Sequence, residues 1–160
     1  MAAQLMMSER TKQESRAAAS RTVPKRYVME EQVGFLMRVA MQRHTSIFMS
    51  LMVHDLTQTQ FAALAKLVEV GSCSQNHLGR LIYLDAATIK GVIDRLRARG
   101  LVTIQINPRD RRRSMIAVTK QGDRIAKEAI SVAHQITAGT LVPLRSGERR
   151  RIVELLQKMI

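Results

Sequence analysis

Apolar residues recur every three or four positions in the long segment that follows Pro24. This stripe runs without proline through residues 27–53 and predicts one long amphipathic helix. The residues of the stripe are Val28, Phe35, Leu36, Val39, Ile47, Phe48 and Leu51. Residues 1–26 show no such period and carry six basic against two acidic side chains, so we expect a flexible basic N-terminal arm there.

Three helix start signals follow one another in the middle of the chain. Thr57 and Gln60 have the spacing of a capping box, and Ser74 can cap a short second helix. Asp85 can cap a third helix, and Gly100 stands just past its end, where a left-handed glycine commonly closes a helix. The apolar residues that these helices would bury are Phe61, Leu64, Leu67, Val68, Leu78, Leu81, Ile82, Ile89, Val92, Ile93 and Leu96.

After Gly100 the apolar residues recur at every second position instead of at every third or fourth. Residues 101–106 and 114–118 read as strands, and residues 107–113 read as a charged turn between them. A helix, a turn, a second helix and a basic hairpin are the parts of a winged helix-turn-helix, with the hairpin as the wing. The predicted fold is therefore mainly α-helical with one small β-hairpin.

Two further helices are predicted at the C-terminal end. One begins at Thr119 and runs to about Gly139, with Ile125, Ala129, Val132 and Ile136 as its stripe. The other follows Pro143, with Ser146 as its expected cap. Its expected buried residues are Ile152, Val153, Leu155 and Leu156.

The balance of charge points to a polyanionic partner. The formal net charge of the 160 residues is +13, and residues 80–113 hold nine basic against three acidic side chains, a net of +6. That stretch contains neither Trp nor Phe, which a membrane-surface helix would use, so nucleic acid is favoured. No apolar run is long enough for a bilayer span or a signal peptide, and we expect one folding unit in the cytoplasm.

The candidate DNA-contacting residues lie on the helix-turn-helix and at the tip of the hairpin. The helical candidates are Ser74, Gln75, Ala87, Thr88, Lys90 and Arg95, and those of the hairpin are Arg109, Asp110, Arg111, Arg112 and Arg113. Small side chains at a helix start allow close approach to base edges, whereas arginine in a turn suits a narrow minor groove. We choose Arg112 for insertion, with Asp110 orienting its guanidinium group.

Other classes of function have weaker support in the sequence. A basic module that binds RNA or any DNA would explain the charge, but it would not require a wing. We find no nucleophile and base pair, no phosphate loop and no set of metal ligands, so neither an enzyme nor a metal or cofactor site is expected. The single cysteine, Cys73, is interpreted as structural rather than redox-active.

Five short motifs follow one another along the chain: Leu56-Thr57-Gln58-Thr59-Gln60-Phe61, Asp94-Arg95-Leu96, Arg99-Gly100-Leu101-Val102, Asn107-Pro108-Arg109-Asp110-Arg111-Arg112 and Val118-Thr119-Lys120-Gln121-Gly122. They resemble the motifs of the multiple antibiotic resistance regulator (MarR) family of bacterial transcription factors. Their order and spacing are similar to those of the family over residues 27–160. The sequence departs from the family pattern at Asn107, Gly79 and Gly91.

The resemblance implies a homodimer, held by helices within residues 27–56 and 120–160, around a DNA-binding lobe at residues 57–119. It also implies a repressor that binds a near-palindromic double-stranded operator and is released by a small ligand. An aromatic carboxylate or its thioester is the implied ligand class. If the ligand is anionic, the available residues of the first helix are Met37, Arg38, Met41, Arg43 and His44.

Overall fold

The computed structural model describes residues 26–107 and 110–160. Its elements in chain order are α1 (Val33–Leu51), α2 (Gln58–Val70), α3 (Gln75–Leu81), α4 (Ala86–Ala98), β1 (Val102–Asn107), β2 (Asp110–Val118), α5 (Lys120–Thr140) and α6 (Ser146–Gln157). The predicted arm, apart from Arg26, lies outside the described residues. The prediction of a mainly helical chain with one antiparallel hairpin is confirmed.

The first long helix begins later than its apolar stripe suggests. Met29–Glu31 forms a single 3-10 turn, and α1 begins only at Val33, so the predicted start near Tyr27 is wrong. The reason is local: the side-chain amide of Gln32 donates to the carbonyl oxygen of Val28 at 2.8 Å while both residues keep an extended backbone. This bond satisfies a carbonyl that a continuous helix would otherwise have used.

The three helix starts predicted in the middle of the chain are confirmed. Thr57 and Gln60 form a reciprocal capping box at the start of α2, and the Ser74 hydroxyl accepts from the backbone N–H of His77 at 3.3 Å. Asp85 caps α4 through the N–H groups of its first turn. Gly100 has a φ of +69°, which closes α4 as its position in the sequence indicated.

One hydrophobic core joins α2, α3, α4, the hairpin and α5. Its buried members are Leu56, Ala63, Leu64, Leu67, Cys73, Leu78, Ile89, Val92, Ile93, Leu96, Leu101, Val102, Ile116, Ile125, Ala126 and Ala129. The predicted Phe61, Val68 and Ile82 are only partly buried at its edge. Because one stripe of α4 is wholly inside this core, the opposite stripe of the same helix faces outward.

The hairpin turn is shorter than the charge pattern suggested. Residues 110–113, predicted as turn, belong to β2, and Asn107 pairs directly with Asp110. The regular register holds from Val102 opposite Val118 to Ile106 opposite Ser114, and a shift follows at Asn107. The Asn107–Asp110 pair therefore lies beyond an irregularity in the ladder, and the last pair of the regular register is Ile106 and Ser114.

The last helix differs from its prediction in its cap and in its burial. Arg145 takes the N-cap position instead of Ser146, and its backbone N–H donates to Glu148 Oε2 at 2.7 Å. The four apolar residues expected to be buried, Ile152, Val153, Leu155 and Leu156, are 36 to 45% exposed, so that prediction is wrong for the single chain. A stripe at helical spacing indicates a face that needs covering, but not whether the cover comes from the same chain.

Candidate functional site

The outer face of α4 presents a row of small and basic side chains. Its inner face is anchored by Ile89, Val92, Ile93 and Leu96, all almost fully buried. The exposed residues of the helix are Ala86, Ala87, Thr88, Lys90, Arg95, Arg97 and Ala98. The four candidates that sequence patterns placed on this helix therefore share one exposed face, as a helix that enters a groove requires.

The first turn of α4 is fixed by the Asp85 carboxylate. It accepts from the N–H groups of Ala87 at 3.0 Å and Thr88 at 2.8 Å, and from the Thr88 hydroxyl at 2.6 Å. The hydroxyl bond is the main reason that the pKa of Asp85 is lowered from its ordinary value. The Thr88 oxygen keeps its capacity to accept a hydrogen bond, so it can meet a donor on a base edge.

The two basic candidates of α4 lie back along the helix surface. Lys90 Nζ is 2.7 Å from Asp94 Oδ2, and this bond is the first cause of the lowered pKa of Asp94. The Arg95 guanidinium lies over Gly91, with Nη1 3.5 Å from the place where a Cβ would stand. Asp94 was not among the predicted site residues, although its spacing of four from Lys90 indicates an ion pair on a helix.

The remaining candidates of the helix-turn-helix lie at the start of α3. Ser74 and Gln75 are half-buried, and the Ser74 hydroxyl already serves as the cap of α3. Arg109 lies outside the described residues, as do the side chains of Asp110, Arg111, Arg112 and Arg113, although the backbone of the last four is part of β2. The assignment of these residues to DNA contact stays a prediction.

A cleft of about 300 Å³ lies between α1, α2 and α5. It is lined by Met41, His44, Phe48, Gln58, Phe61, Ala133, Ile136 and Thr137. The rings of Phe48 and Phe61 are tilted against each other with centroids 6.1 Å apart, and the His44 ring is 6.4 Å from Phe48. The cleft thus combines aromatic walls with a few polar groups, as small-molecule sites do.

Hydrogen bonds fix the orientation of the polar groups around this cleft. The Thr140 hydroxyl donates to the Ile136 carbonyl at 2.8 Å, so it accepts from His44 Nδ1 at 2.9 Å. A neutral His44 therefore carries its proton on Nδ1, and its Nε2 is an acceptor. The amide of Gln58 donates to the Thr45 hydroxyl at 3.4 Å.

Only part of the predicted ligand set lies on the wall of the cleft. Met41 and His44 line it, whereas an Arg43 guanidinium nitrogen donates to the Gly139 carbonyl oxygen at 3.3 Å. Met37 is exposed, and the Arg38 guanidinium lies 5.2 Å above the Phe35 ring. The lining residues that the sequence did not indicate are Phe48, Gln58, Phe61, Ala133, Ile136 and Thr137. They come from helices far apart in the chain, so no local spacing brings them together.

Cys73 is part of the backbone frame of the lobe. Its N–H donates to Ile116 O at 3.2 Å, and its carbonyl accepts from Ile116 N at 2.8 Å. The side chain is buried, and burial raises the pKa of the thiol. A buried thiol of raised pKa is a poor nucleophile, which agrees with a structural role.

Neither a membrane-spanning helix nor a cluster of metal ligands occurs in the part of the chain that the structure describes. Across residues 26–107 and 110–160, no helix is both long and apolar enough to cross a lipid bilayer. In the same ranges, no three His, Cys, Asp or Glu side chains are grouped as metal ligands would be.

Comparison with known proteins decides the family. Residues 56–114 match the MarR family. Over 135 residues the chain is 41% identical to the HTH-type transcriptional repressor NicR of Pseudomonas putida, covering 84% of this chain and 85% of the relative. The protein belongs to the MarR family. The resemblance of the motif stretches is thereby confirmed.

Solved structures of this family share the fold over most of the chain. A probable transcriptional regulator from Pseudomonas aeruginosa is 39% identical, with a TM-score of 0.81 over 83% of this chain and all of that one. BpsR of Bordetella bronchiseptica, whose DNA binding is regulated by 6-hydroxynicotinic acid, is 40% identical, with a TM-score of 0.80 over 84% and 96% of the two chains. These MarR-family relatives are transcription regulators, and the winged helix-turn-helix prediction is confirmed.

Proposed function

We propose that this protein is a transcription repressor that binds a palindromic operator as a homodimer and leaves it when a small aromatic acid binds. The observation that carries the ligand-responsive part is the aromatic cleft between α1, α2 and α5. α1 and α5 lie outside the DNA-binding lobe at residues 57–119, and α2 lies inside it, so a ligand in the cleft contacts both regions. Binding there can change the position of the DNA-reading helix.

The DNA-binding part of the proposal is supported by the outer face of α4 and by the charge of the wing. Thr88, Lys90 and Arg95 are exposed on that face and are in reach of bases or phosphates. Arg109 and Arg111–Arg113 give the wing four basic residues in five positions. A palindromic operator has two half-sites. Because each half-site is read by one recognition helix, which is α4 here, and by one wing, two copies of the chain are needed.

The dimer is supported by the apolar face of α6. Ile152, Val153, Leu155 and Leu156 remain partly exposed in one chain, side by side on one helix. A contiguous apolar face of this kind commonly marks a protein interface. We propose that α6 of a second copy of the chain covers this apolar face.

The size and chemistry of the cleft favour a single-ring acid over a larger thioester. A volume of about 300 Å³ is at the small end of the usual range for ligand sites, so a thioester would extend into solvent. Phe48 and Phe61 offer ring faces, while His44 and Gln58 offer polar partners for a ring nitrogen, hydroxyl or carboxylate. The effector of BpsR, 6-hydroxynicotinic acid, has these groups, and we propose it or a close analogue here.

The test is operator binding by the purified protein. We would measure its affinity for the DNA upstream of its own gene and for a scrambled duplex at the same salt concentration. Each titration is repeated with 6-hydroxynicotinate, nicotinate, substituted benzoates and aryl thioesters. We expect the protein to bind the upstream DNA more tightly than the scrambled duplex, and one of the ligands to abolish this binding. Equal affinity for both duplexes would instead indicate a nonspecific nucleic-acid-binding protein.

A variant that fills the cleft separates ligand binding from DNA binding. Ala133→Leu places a larger side chain on the cleft wall, so the variant should bind the operator normally and resist release by the ligand. Ala138→Leu is the matched control, because Ala138 is exposed on the same helix α5. Release that is equally easy in both variants would show that the ligand binds elsewhere.

A further inference from the structure

The chain passes from α1 to α2 through a junction, residues 52–57, whose backbone is unusual. His54 and Asp55 have φ values of +57° and +49°, a left-handed conformation that is uncommon outside glycine and that His and Asp adopt more readily than most other residues. Two such residues in succession persist only where the surrounding structure holds them. The contacts that hold this junction therefore determine how rigidly the end of α1 is joined to the start of α2.

Arg99, the C-cap residue of α4, supplies one of these contacts. Its Nη2 donates to the carbonyl oxygen of His54, and its Nη1 donates to Gln60 Oε1 at 3.4 Å. The same Gln60 oxygen accepts from the backbone N–H of Thr57 at 3.2 Å in the capping box of α2. One guanidinium group thus joins the end of the recognition helix to the strained junction and to the first turn of α2.

The side chain of His54 ties the junction to a third element. Its Nε2 lies 2.6 Å from Glu128 Oε2 on α5. The backbone of one residue is therefore held by α4, and its imidazole is held by α5. A shift of either helix has to move His54 or break one of these two contacts.

The walls of the aromatic cleft meet at this junction. Phe48 is on the last turn of α1, before the junction, and Gln58 and Phe61 are on the first turn of α2, directly after it. A ligand that separates the α1 wall from the α2 wall changes the distance that the junction has to span. Gln60, between Gln58 and Phe61, is the residue that Arg99 holds.

We propose that Arg99 is a positioning residue that couples the cleft to the recognition helix through the His54 carbonyl and the Gln60 amide. The ligand-dependent part of this proposal rests on the proposed function, whereas the positioning of α4 does not. A double hydrogen bond from a planar guanidinium fixes both distance and orientation, which a single flexible donor does not do.

The test compares Arg99→Met with Arg97→Met. Both variants remove one exposed arginine near the end of α4 and keep an unbranched side chain. Arg97 differs from Arg99 in its contact, which is with Asp94 of the same helix at 3.8 Å. In the ligand-free protein, Arg99→Met should speed amide hydrogen exchange at Leu56 and Leu101 at least fivefold more than Arg97→Met. It should also weaken operator binding at least threefold relative to the wild type at the same salt concentration. The factor by which 6-hydroxynicotinate weakens operator binding should fall below twofold in Arg99→Met and stay at the wild-type value in Arg97→Met.

The possible results separate the two proposals. If the wild type does not respond to the ligand, but Arg99→Met still loosens the junction more than Arg97→Met and weakens DNA binding relative to the wild type, the positioning role holds and the proposed effector is wrong. If Arg99→Met and Arg97→Met agree in amide exchange at Leu56 and Leu101, the positioning role is overturned. If the wild type responds and Arg99→Met responds equally, the coupling is overturned. Should Arg99→Met not fold, Arg99→Lys serves for the same comparisons, because it keeps the charge and loses the planar fork.

Discussion

An ideal Cβ atom on Gly122 would lie 1.9 Å from the backbone carbonyl oxygen of Leu101. The first turn of α5 therefore packs directly on the backbone that leads from α4 into the wing. Thr119 supports the same contact, since its hydroxyl donates to the Gly100 carbonyl at 2.7 Å and accepts from Gly122 N at 3.0 Å. The base of the wing is thus fixed by backbone contacts that only glycine permits at position 122.

The change Gly122→Ala should destabilise the fold strongly. The added methyl group meets backbone and not a flexible side chain, so a helix or the hairpin has to move; we expect a loss of about 3 kcal/mol or more in the free energy of unfolding. Gly147→Ala on α6 is the control, since a Cβ there meets nothing within 4 Å. Urea unfolding followed by circular dichroism measures both. Equal stability of the two variants would mean that the close approach at Leu101 is easily relieved.

The cap of α4 should make stability depend on pH in the acid range. The pKa of Asp85 is lowered below its ordinary 3.8, first by the Thr88 hydroxyl, so the ionised carboxylate stabilises the folded state. This contribution is complete above about pH 5 and is lost as the pH falls through the lowered pKa. Thr88→Val removes the hydroxyl donor and keeps the shape of the side chain. Its thermal midpoint should therefore be lower than that of the wild type at neutral pH.

The pH series contains its own control. Below the pKa of Asp85 both proteins carry a protonated carboxyl group, so the difference between their midpoints should shrink toward zero as the pH is lowered. A titration of the Asp85 carboxyl carbon by NMR should give a higher pKa in Thr88→Val than in the wild type. A difference in midpoint that is the same at all pH values would show that Thr88 acts through helix propensity or packing and not through Asp85.

The helices of the DNA-binding lobe could be predicted because their signals are local. Thr57, Ser74 and Asp85 cap their helices within three residues of themselves, and Gly100 closes α4 by its own backbone conformation. The start of α1 could not be predicted in the same way. It depends on a side-chain bond from Gln32, which competes with the helix that the apolar stripe favours.

The cleft and the junction were not predictable because they are assembled over long distances in the chain. Phe48 and Ala133 line the same space from positions 85 residues apart, and each alone resembles an ordinary core residue. Arg99 belongs to a family motif, but its bond to His54, 45 residues earlier, follows only from the packing of α4 beside the junction. The exposed face of α6 has the spacing of a core stripe, because spacing does not show which chain covers a face.

Gly91→Ala tests how closely the backbone of α4 approaches DNA. A Cβ at this position would make ordinary contact with the Arg95 guanidinium at 3.5 Å, so the variant should fold and gain about 0.5 to 1 kcal/mol from helix propensity. If the recognition face lies against base edges here, the methyl group should weaken operator binding about tenfold. The slope of affinity against salt should not change, because no charge is lost. Unchanged affinity would place Gly91 away from the bases.

Arg112→Ala tests the choice of the wing residue that enters the minor groove. The variant should lose about tenfold or more in operator affinity, and its salt slope should decrease by about one if a phosphate contact is lost as well. Arg150→Ala is the control, because Arg150 is an exposed arginine on α6, outside the proposed DNA surface. If Arg112→Ala and Arg150→Ala bind the operator with the same affinity at the same salt concentration, Arg112 does not contact the DNA.

Leu156→Glu tests whether the apolar face of α6 holds two copies of the chain together. The residue is 44% exposed, so the single chain should tolerate the charge, whereas a dimer interface would bury it without a partner. Sedimentation velocity should therefore show a wild-type dimer and a variant that is largely monomeric at the same concentration, with operator affinity reduced because one half-site is read alone. Val70→Glu is the matched control, since Val70 is similarly exposed, at 43%, but lies at the end of α2 in the DNA-binding lobe. A Leu156→Glu protein that sediments like the Val70→Glu protein would exclude this face of α6 from the dimer interface.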